Sequence, residues 1–300
     1  MKSLFRNLPL VSKFLGPRQP PSSIRPVAGY PSSIVDCHGC EFGFEMYYHI
    51  PYAYHLHEQG LLEKTVSCRD TRCFYWFSPD HEERYDRRDW VTELPSIGQT
   101  AWQLPDYARW QVPDFRARWS QRYDFGFTKP LLLIFNKYNI EWSKPPINFF
   151  SREFLLTITD QLTKKFQVVY FRPTSKIVMD HSELLDLHEK EALVERDVLV
   201  AETLHDRCPE LTFNEFQLCL LAQSNWRVAV QGGATYMNSL FPGELFVLHR
   251  HGRETRSNTY EHLHRMNVDK IRVFDEENEL GKSLLLALLE DDQWAGAAAA

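Results

Sequence analysis

Short apolar runs punctuate the second half of the chain at nearly regular intervals. Leu131–Phe135, Gln167–Phe171, Val198–Ala201, Val228–Val230, Leu245–Leu248 and Lys270–Phe274 have the length and composition of short, mostly buried strands. Between them the period changes to that of amphipathic helices. Ser151–Lys165 opens on a capping serine, and Thr212–Gln223 carries Thr212 and Glu215 at capping-box spacing. Ser182–His188 and Glu277–Leu289 complete the set. This alternation predicts an α/β fold with a parallel sheet and right-handed crossovers. The first half is less regular. Ile34–Val35 reads as a strand and Glu45–Gln59 as a helix kinked by Pro51 and closed by Gly60. Thr65–Cys68 and Cys73–Phe77 read as strands, and the charge-rich His81–Arg88 as a helical surface. Residues 95–128, with Pro95, Pro105, Pro113, Trp102, Trp110 and Trp119, read as a connection packed by aromatics. The proline-rich residues 1–32 read as an extended leader. The organisation expected is therefore a leader (1–32), an N-terminal α/β lobe with its aromatic linker (33–128) and a C-terminal α/β lobe (129–295).

Ligands of parallel α/β sheets sit beyond the carboxyl ends of the strands. The loops to inspect thus follow Phe135, Phe171, Ala201 and Val230. After Val230 comes Gln231-Gly232-Gly233-Ala234-Thr235, a glycine turn leading into a helix, which suits a phosphate held by backbone N–H groups. The same residues also suit a plain strand-to-helix turn. After Phe135 comes Asn136-Lys137-Tyr138-Asn139-Ile140-Glu141-Trp142, followed by Pro145, Pro146 and Asn148; here Lys137 offers a counter-charge. Arg172 follows Phe171, and His249-Arg250-His251-Gly252-Arg253 adds positive charge after Leu248. In the first half, Glu41 and Glu45 begin a helix after a strand. A carboxylate there serves either as a general base or as a favourable charge at the helix start.

The bulk numbers narrow the classes. The chain has 300 residues, 43% hydrophobic and 25% charged, as expected of a globular protein. A net charge of −6 argues against a general nucleic-acid binder. No apolar run is long enough for a membrane-spanning helix. The basic, mildly amphipathic N-terminus lacks the apolar centre of a signal peptide and suits a frayed tail or a weak contact with a membrane surface; the location expected is cytoplasmic, with a membrane-peripheral one as the alternative. Six cysteines do not make a disulfide scaffold. Cys37-His38-Gly39-Cys40 has the spacing of a thiol–disulfide pair, or of half a zinc site with Cys68 and Cys73, and equally suits plain buried cysteines.

With these residues assembled, the chain resembles the two-lobed GT-B class of nucleotide-sugar glycosyltransferases. The motif is Gln231-Gly232-Gly233-Ala234-Thr235-Tyr236-Met237-Asn238-Ser239-Leu240-Phe241-Pro242-Gly243. It is similar to the donor-lobe turn of plant-type xylosyltransferases and their relatives. Where that pattern has a histidine before the glycines, this chain has Gln231. Gly39-Cys40-Glu41-Phe42-Gly43-Phe44-Glu45 is similar to the glycine turn of the acceptor lobe. The likeness covers residues 33–290 in architecture and only 231–243 in motif. It implies two Rossmann-like lobes with a cleft between them, and a hexosyl- or pentosyltransferase moving sugar from a nucleotide-sugar donor to a glycan or other hydroxyl acceptor. It further implies that Gln231, Gly232, Gly233, Ala234 and Thr235, with Asn136, Lys137 and Arg172, hold the donor, and that Glu45 or Glu41 is the base. No Asp-x-Asp occurs in the chain, which fits metal-independent transfer; one candidate base with no second nucleophile fits inversion, and no cofactor is expected, the nucleotide sugar being a substrate. Two other readings remain: a thiol–disulfide protein using Cys37 and Cys40, and a non-catalytic nucleotide- or glycan-binding module.

Overall fold

A computed structural model describes residues 33–140, 144–178, 183–255 and 257–290. The leader read over residues 1–32 lies outside the described residues, as do Glu141 and Trp142 of the loop after Phe135. Strand β1 (Ile34–Asp36) leads through a turn into one continuous helical stretch. This begins as α1 (Phe42–Phe44), widens to a π-helix over Glu45–His49 and returns to the α form as α2 (Ile50–Glu58). Pro51 stands directly after the π-helical turn, near the start of α2, and does not end the helical stretch. The π segment buries five consecutive residues, Glu45 through His49. Then come β2 (Lys64–Cys68), a 3₁₀ turn over Arg72–Phe74, and β3 (His81–Tyr85). β1, β2 and β3 form a small parallel sheet with β2 central.

Two expectations for this half are corrected. Cys73–Phe77 is not a strand: its aromatic rings turn inward from a 3₁₀ turn and the loop after it, with Phe74 and Tyr75 in the core. His81–Arg88 is not a helical surface: its first five residues are β3, the edge of the sheet. The charges that looked helical decorate that edge, where Glu82 pairs with Lys64 and Arg84. Charged side chains on an edge strand discourage pairing with another chain.

One residue of β3 titrates in a way that predicts acid sensitivity. His81 is buried, shares a 2.8 Å hydrogen bond with the Thr65 hydroxyl through Nδ1, and stacks on Tyr75 at 5.0 Å. Burial, then the nearby Arg72 guanidinium, push its imidazole down to about 4. The unfolded chain takes up this proton near pH 6.5, before the folded chain does. The contribution of His81 is therefore present above about pH 6.5 and is lost as pH falls toward 4, an effect of about 3 kcal/mol. His81→Asn, measured by urea unfolding at pH 7 and pH 4.5, should flatten this loss; an unchanged slope would refute the assignment.

After β4 (Glu93–Leu94) and β5 (Gln99–Thr100), a two-stranded antiparallel pair, and α3 (Phe115–Trp119), the main sheet begins with β6 (Leu131–Phe135). It continues through α4 (Arg152–Leu162), β7 (Gln167–Phe171), α5 (Lys190–Val194), β8 (Leu199–Val200), α6 (Ala201–His205) and α7 (Phe213–Gln223). Then follow β9 (Trp226–Val230), α8 (Gly233–Asn238), β10 (Glu244–Leu248), α9 (Thr259–Leu263), β11 (Lys270–Phe274) and α10 (Glu277–Glu290). The caps read from sequence are in place. Ser151 accepts from the Phe154 N–H, and Thr212 and Glu215 form the reciprocal capping box. Ser182–His188 is not a helix where it is described; Leu184 instead makes a bridge to Asn139, and the helix falls later, at α5.

The six strands are parallel, in the order β8-β7-β6-β9-β10-β11. This is the 3-2-1-4-5-6 order of the Rossmann fold, whose topological switch point lies between the first and fourth strands, here β6 and β9. β6 and β9 are buried along their whole length. Leu132 and Ile134 pack on one face with α4 and α10, while Leu131, Leu133 and Phe135 pack on the other with α7. That second core runs without interruption into the N-terminal half, taking in Met46, Ile50, Phe74 and Phe115. Within β9, Arg227 is fully buried and donates to the carbonyls of Phe241 and Pro242 at 3.1 and 2.8 Å. It faces backbone inside the fold and is no surface cation.

Candidate functional site

A cavity of about 1330 Å³ opens over the carboxyl ends of β6, β7, β9 and β10 and is walled on the other side by the N-terminal half. It therefore covers the switch point, and the loop after β8 takes no part in its lining. Of the residues expected to hold a donor, Asn136, Lys137, Arg172, Gln231, Gly232, Gly233 and Ala234 line it.

At its floor, the loops after β6 and β9 are tied together through Gln231. Lys137 Nζ donates to Gln231 Oε1 at 3.2 Å, and Asn148 Nδ2 donates to the same oxygen at 3.1 Å. Gln231 Nε2 in turn donates to Glu254 Oε1. Asn148 is saturated: it also donates to the His251 carbonyl at 2.7 Å, while its Oδ1 accepts from the Arg250 and His251 N–H groups at 2.8 and 3.0 Å. One buried amide thus staples the loop after β10 to the switch point. Gly232 has φ +141°, and a Cβ there would lie 3.2 Å from Lys137 Nζ. The backbone conformation favours glycine at this position, and a larger residue would also push the lysine tip aside by a few tenths of an ångström.

Other expected residues are committed elsewhere. The Asn136 side chain binds the Phe150 backbone at both ends (2.8 and 3.1 Å) and the Tyr170 hydroxyl, so it fixes the loop and has its polar atoms turned inward. Arg172 pairs with the buried Glu189 at 2.7 Å and donates to the Leu185 carbonyl. Thr235 does not line the cavity, because its hydroxyl turns back to the Val230 carbonyl at 2.9 Å.

The two carboxylates nominated as base separate cleanly. Glu41 lines the cavity at the start of α1. Glu45 does not: it is fully buried, pairs with Arg88 at 2.6 Å and accepts from the Ser67 and Tyr75 hydroxyls. Burial raises its pKa despite Arg88. Arg88 lies 5.0 Å over the Phe42 ring and donates to the Cys40 carbonyl at 3.0 Å.

The seam between the halves is keyed by two glycines. A Cβ on Gly43 would lie 3.0 Å from the Tyr236 ring, and one on Gly233 would lie 3.1 Å from the Phe42 ring. Each half supplies a bare backbone where the other supplies a ring.

Cys37, Cys40 and Cys68 cluster behind this wall as free, buried thiols. Hydrogen bonding to Cys40 and Cys68 lowers the Cys37 pKa, while burial raises that of Cys40. Cys73 belongs to a different apolar cluster. No group of three or more His, Cys, Asp or Glu among the described residues is arranged to hold a metal ion. No described helix is long and apolar enough to cross a membrane. Sequence reasoning missed Glu254, which carries no motif and reaches the site only through the fold. The tryptophans could be read from sequence either as packing or as rings that stack on sugars; Trp102 lines the cavity together with Trp90, while Trp110 and Trp119 are buried.

No family model and no curated protein matches the chain. Among solved structures it is similar to the crystal structure of the glycosyl transferase family 9 from Veillonella parvula DSM 2008. The two share 14% identity over 78% of this chain and 69% of that one, with a TM-score of 0.34. A likeness of that size assigns no activity.

Proposed function

We propose that this protein is a glycosyltransferase that binds a nucleoside-diphosphate sugar across the switch point between β6 and β9. The observation that carries this reading is the convergence of Lys137 and the Gly232-Gly233 turn, from strands distant in sequence, on the floor of one cavity large enough for two substrates. Backbone N–H groups and an ammonium are the donors a diphosphate takes. In this reading the six-stranded half is the donor lobe and the half built on β1–β3 is the acceptor lobe. Glu41 takes the proton from the acceptor hydroxyl. The oxygen then attacks the anomeric carbon as the bond to the diphosphate oxygen breaks, with inversion. Lys137 and the turn stabilise the charge arriving on the leaving group. Arg172 acts indirectly, holding the loop after β7 through Glu189.

Thermal unfolding against UDP, GDP, CDP, dTDP, ADP and inorganic phosphate tests the donor site. A nucleotide at about a hundred times its Kd adds about 2.7 kcal/mol, roughly 4–5 °C in Tm for a chain of this size. One base should be preferred, and Lys137→Ala should weaken that nucleotide roughly tenfold or more. No shift with any diphosphate, or the same shift with phosphate alone, would refute the reading.

A further inference from the structure

Two tryptophans on the cavity wall are far more exposed than indoles usually are: Trp90 at 56% and Trp102 at 57%. They pair with centroids 6.1 Å apart and an interplanar angle of 58°. Phe44 backs Trp90 at 5.3 Å, and the Arg253 guanidinium lies 4.8 Å over Trp102. The segment that carries Trp102 is held firmly. Its neighbour Ala101 donates to the Thr92 carbonyl at 2.8 Å, extending the β4–β5 pairing. The buried Tyr48 hydroxyl shares its one proton between the carbonyls on both sides of Trp102, Gln103 at 2.8 Å and Ala101 at 3.1 Å. The exposed rings are thus presented by a braced frame.

We infer that Trp90 and Trp102 form a saccharide-binding platform, the subsite for a glycan acceptor; this rests on the transferase reading above. The platform comes from the N-terminal half, whereas Lys137 and Gly232 come from the six-stranded half, and all four line one cavity. That cavity exceeds the roughly 300–1,000 Å³ of a single small-ligand site. A pyranose ring offers an apolar C–H face to an indole and hydroxyls at its edge to a guanidinium such as Arg253. A tilted indole pair fits two successive sugar rings that are not coplanar. The rings lie on the wall of a cavity and not on an open face, which favours an oligosaccharide over a protein surface.

The test is binding of the full chain to a printed array of several hundred glycans, followed by titration of the best ligand with tryptophan fluorescence as the readout. Wild type should retain a family of related oligosaccharides and show a fluorescence change on binding. Trp90→Ala and Trp102→Ala should each weaken binding roughly tenfold, and the double variant should abolish it on the array. Both side chains are exposed, so the far-ultraviolet circular dichroism and Tm of the variants should match wild type. Retention of no glycan by wild type, or equal retention by the double variant, overturns the platform. If the double variant instead loses the nucleotide-induced Tm shift, the indoles serve the nucleobase and the inference also fails. The wild-type nucleotide shift is read separately, so failure of the donor site and failure of this subsite are told apart.

Discussion

Arg88→Met should lower the free energy of unfolding at pH 7.5 by about 3–5 kcal/mol, the cost of leaving one partner of a buried ion pair uncompensated. Glu45 would be the stranded partner. It is fully buried, and its remaining contacts, the hydroxyls of Ser67 and Tyr75, do not replace a cation 2.6 Å away. The sign of the pH dependence follows from the direction of its shift. Glu45 already titrates above the ordinary carboxylate range because burial disfavours its charge, and removing Arg88 raises it further. Protonation then relieves the stranded charge, so the deficit of the variant should shrink as pH falls. Urea unfolding at pH 7.5 and pH 5 reads both effects. Pairing Arg88→Met with Glu45→Leu should recover most of the loss, since an apolar pair of similar volume removes both desolvation costs. A single variant as stable as wild type would show that the pair contributes nothing.

Glu41→Gln should reduce sugar transfer by about 10²- to 10⁴-fold, the usual contribution of a general base. The change keeps the size and polarity of a side chain that lines the cavity. The Tm and the nucleotide-induced shift should therefore stay at wild-type values while release of nucleoside diphosphate, measured with the preferred donor and an array-selected acceptor, collapses. Glu45→Gln should give the opposite pattern, a large loss of stability through the unpaired Arg88. Wild-type turnover by Glu41→Gln would remove Glu41 as the base. Nucleotide and glycan binding without turnover even in the unaltered protein would leave a binding module.

The parts of the fold that are legible in sequence are those where one force dominates. β6, β9 and β10 are apolar because the sheet is covered on both faces, and α4 and α7 announce themselves by caps. β3 is hidden because an edge strand can carry Glu82, Glu83 and Arg84; only its pairing with β2 makes it a strand. The aromatics of Cys73–Phe77 have strand-like composition, yet they point inward from a turn. In the site, Lys137 and the glycine turn are legible because chain order and strand ends locate them. Which of Glu41 and Glu45 faces the cavity is not, since it depends on where the helical stretch turns its side chains. The roles of Asn136 and Arg172 depend on Phe150 and Glu189, which only the folded chain brings to them.

The reciprocal fit of Gly43 with Tyr236 and of Gly233 with Phe42 has a consequence for recombination. A chimaera that joined either half to a counterpart lacking its glycine and its ring would bring a side chain against a ring at one position and leave a hollow at the other. The two halves are therefore exchangeable only as a matched set, with both glycines and both rings travelling together.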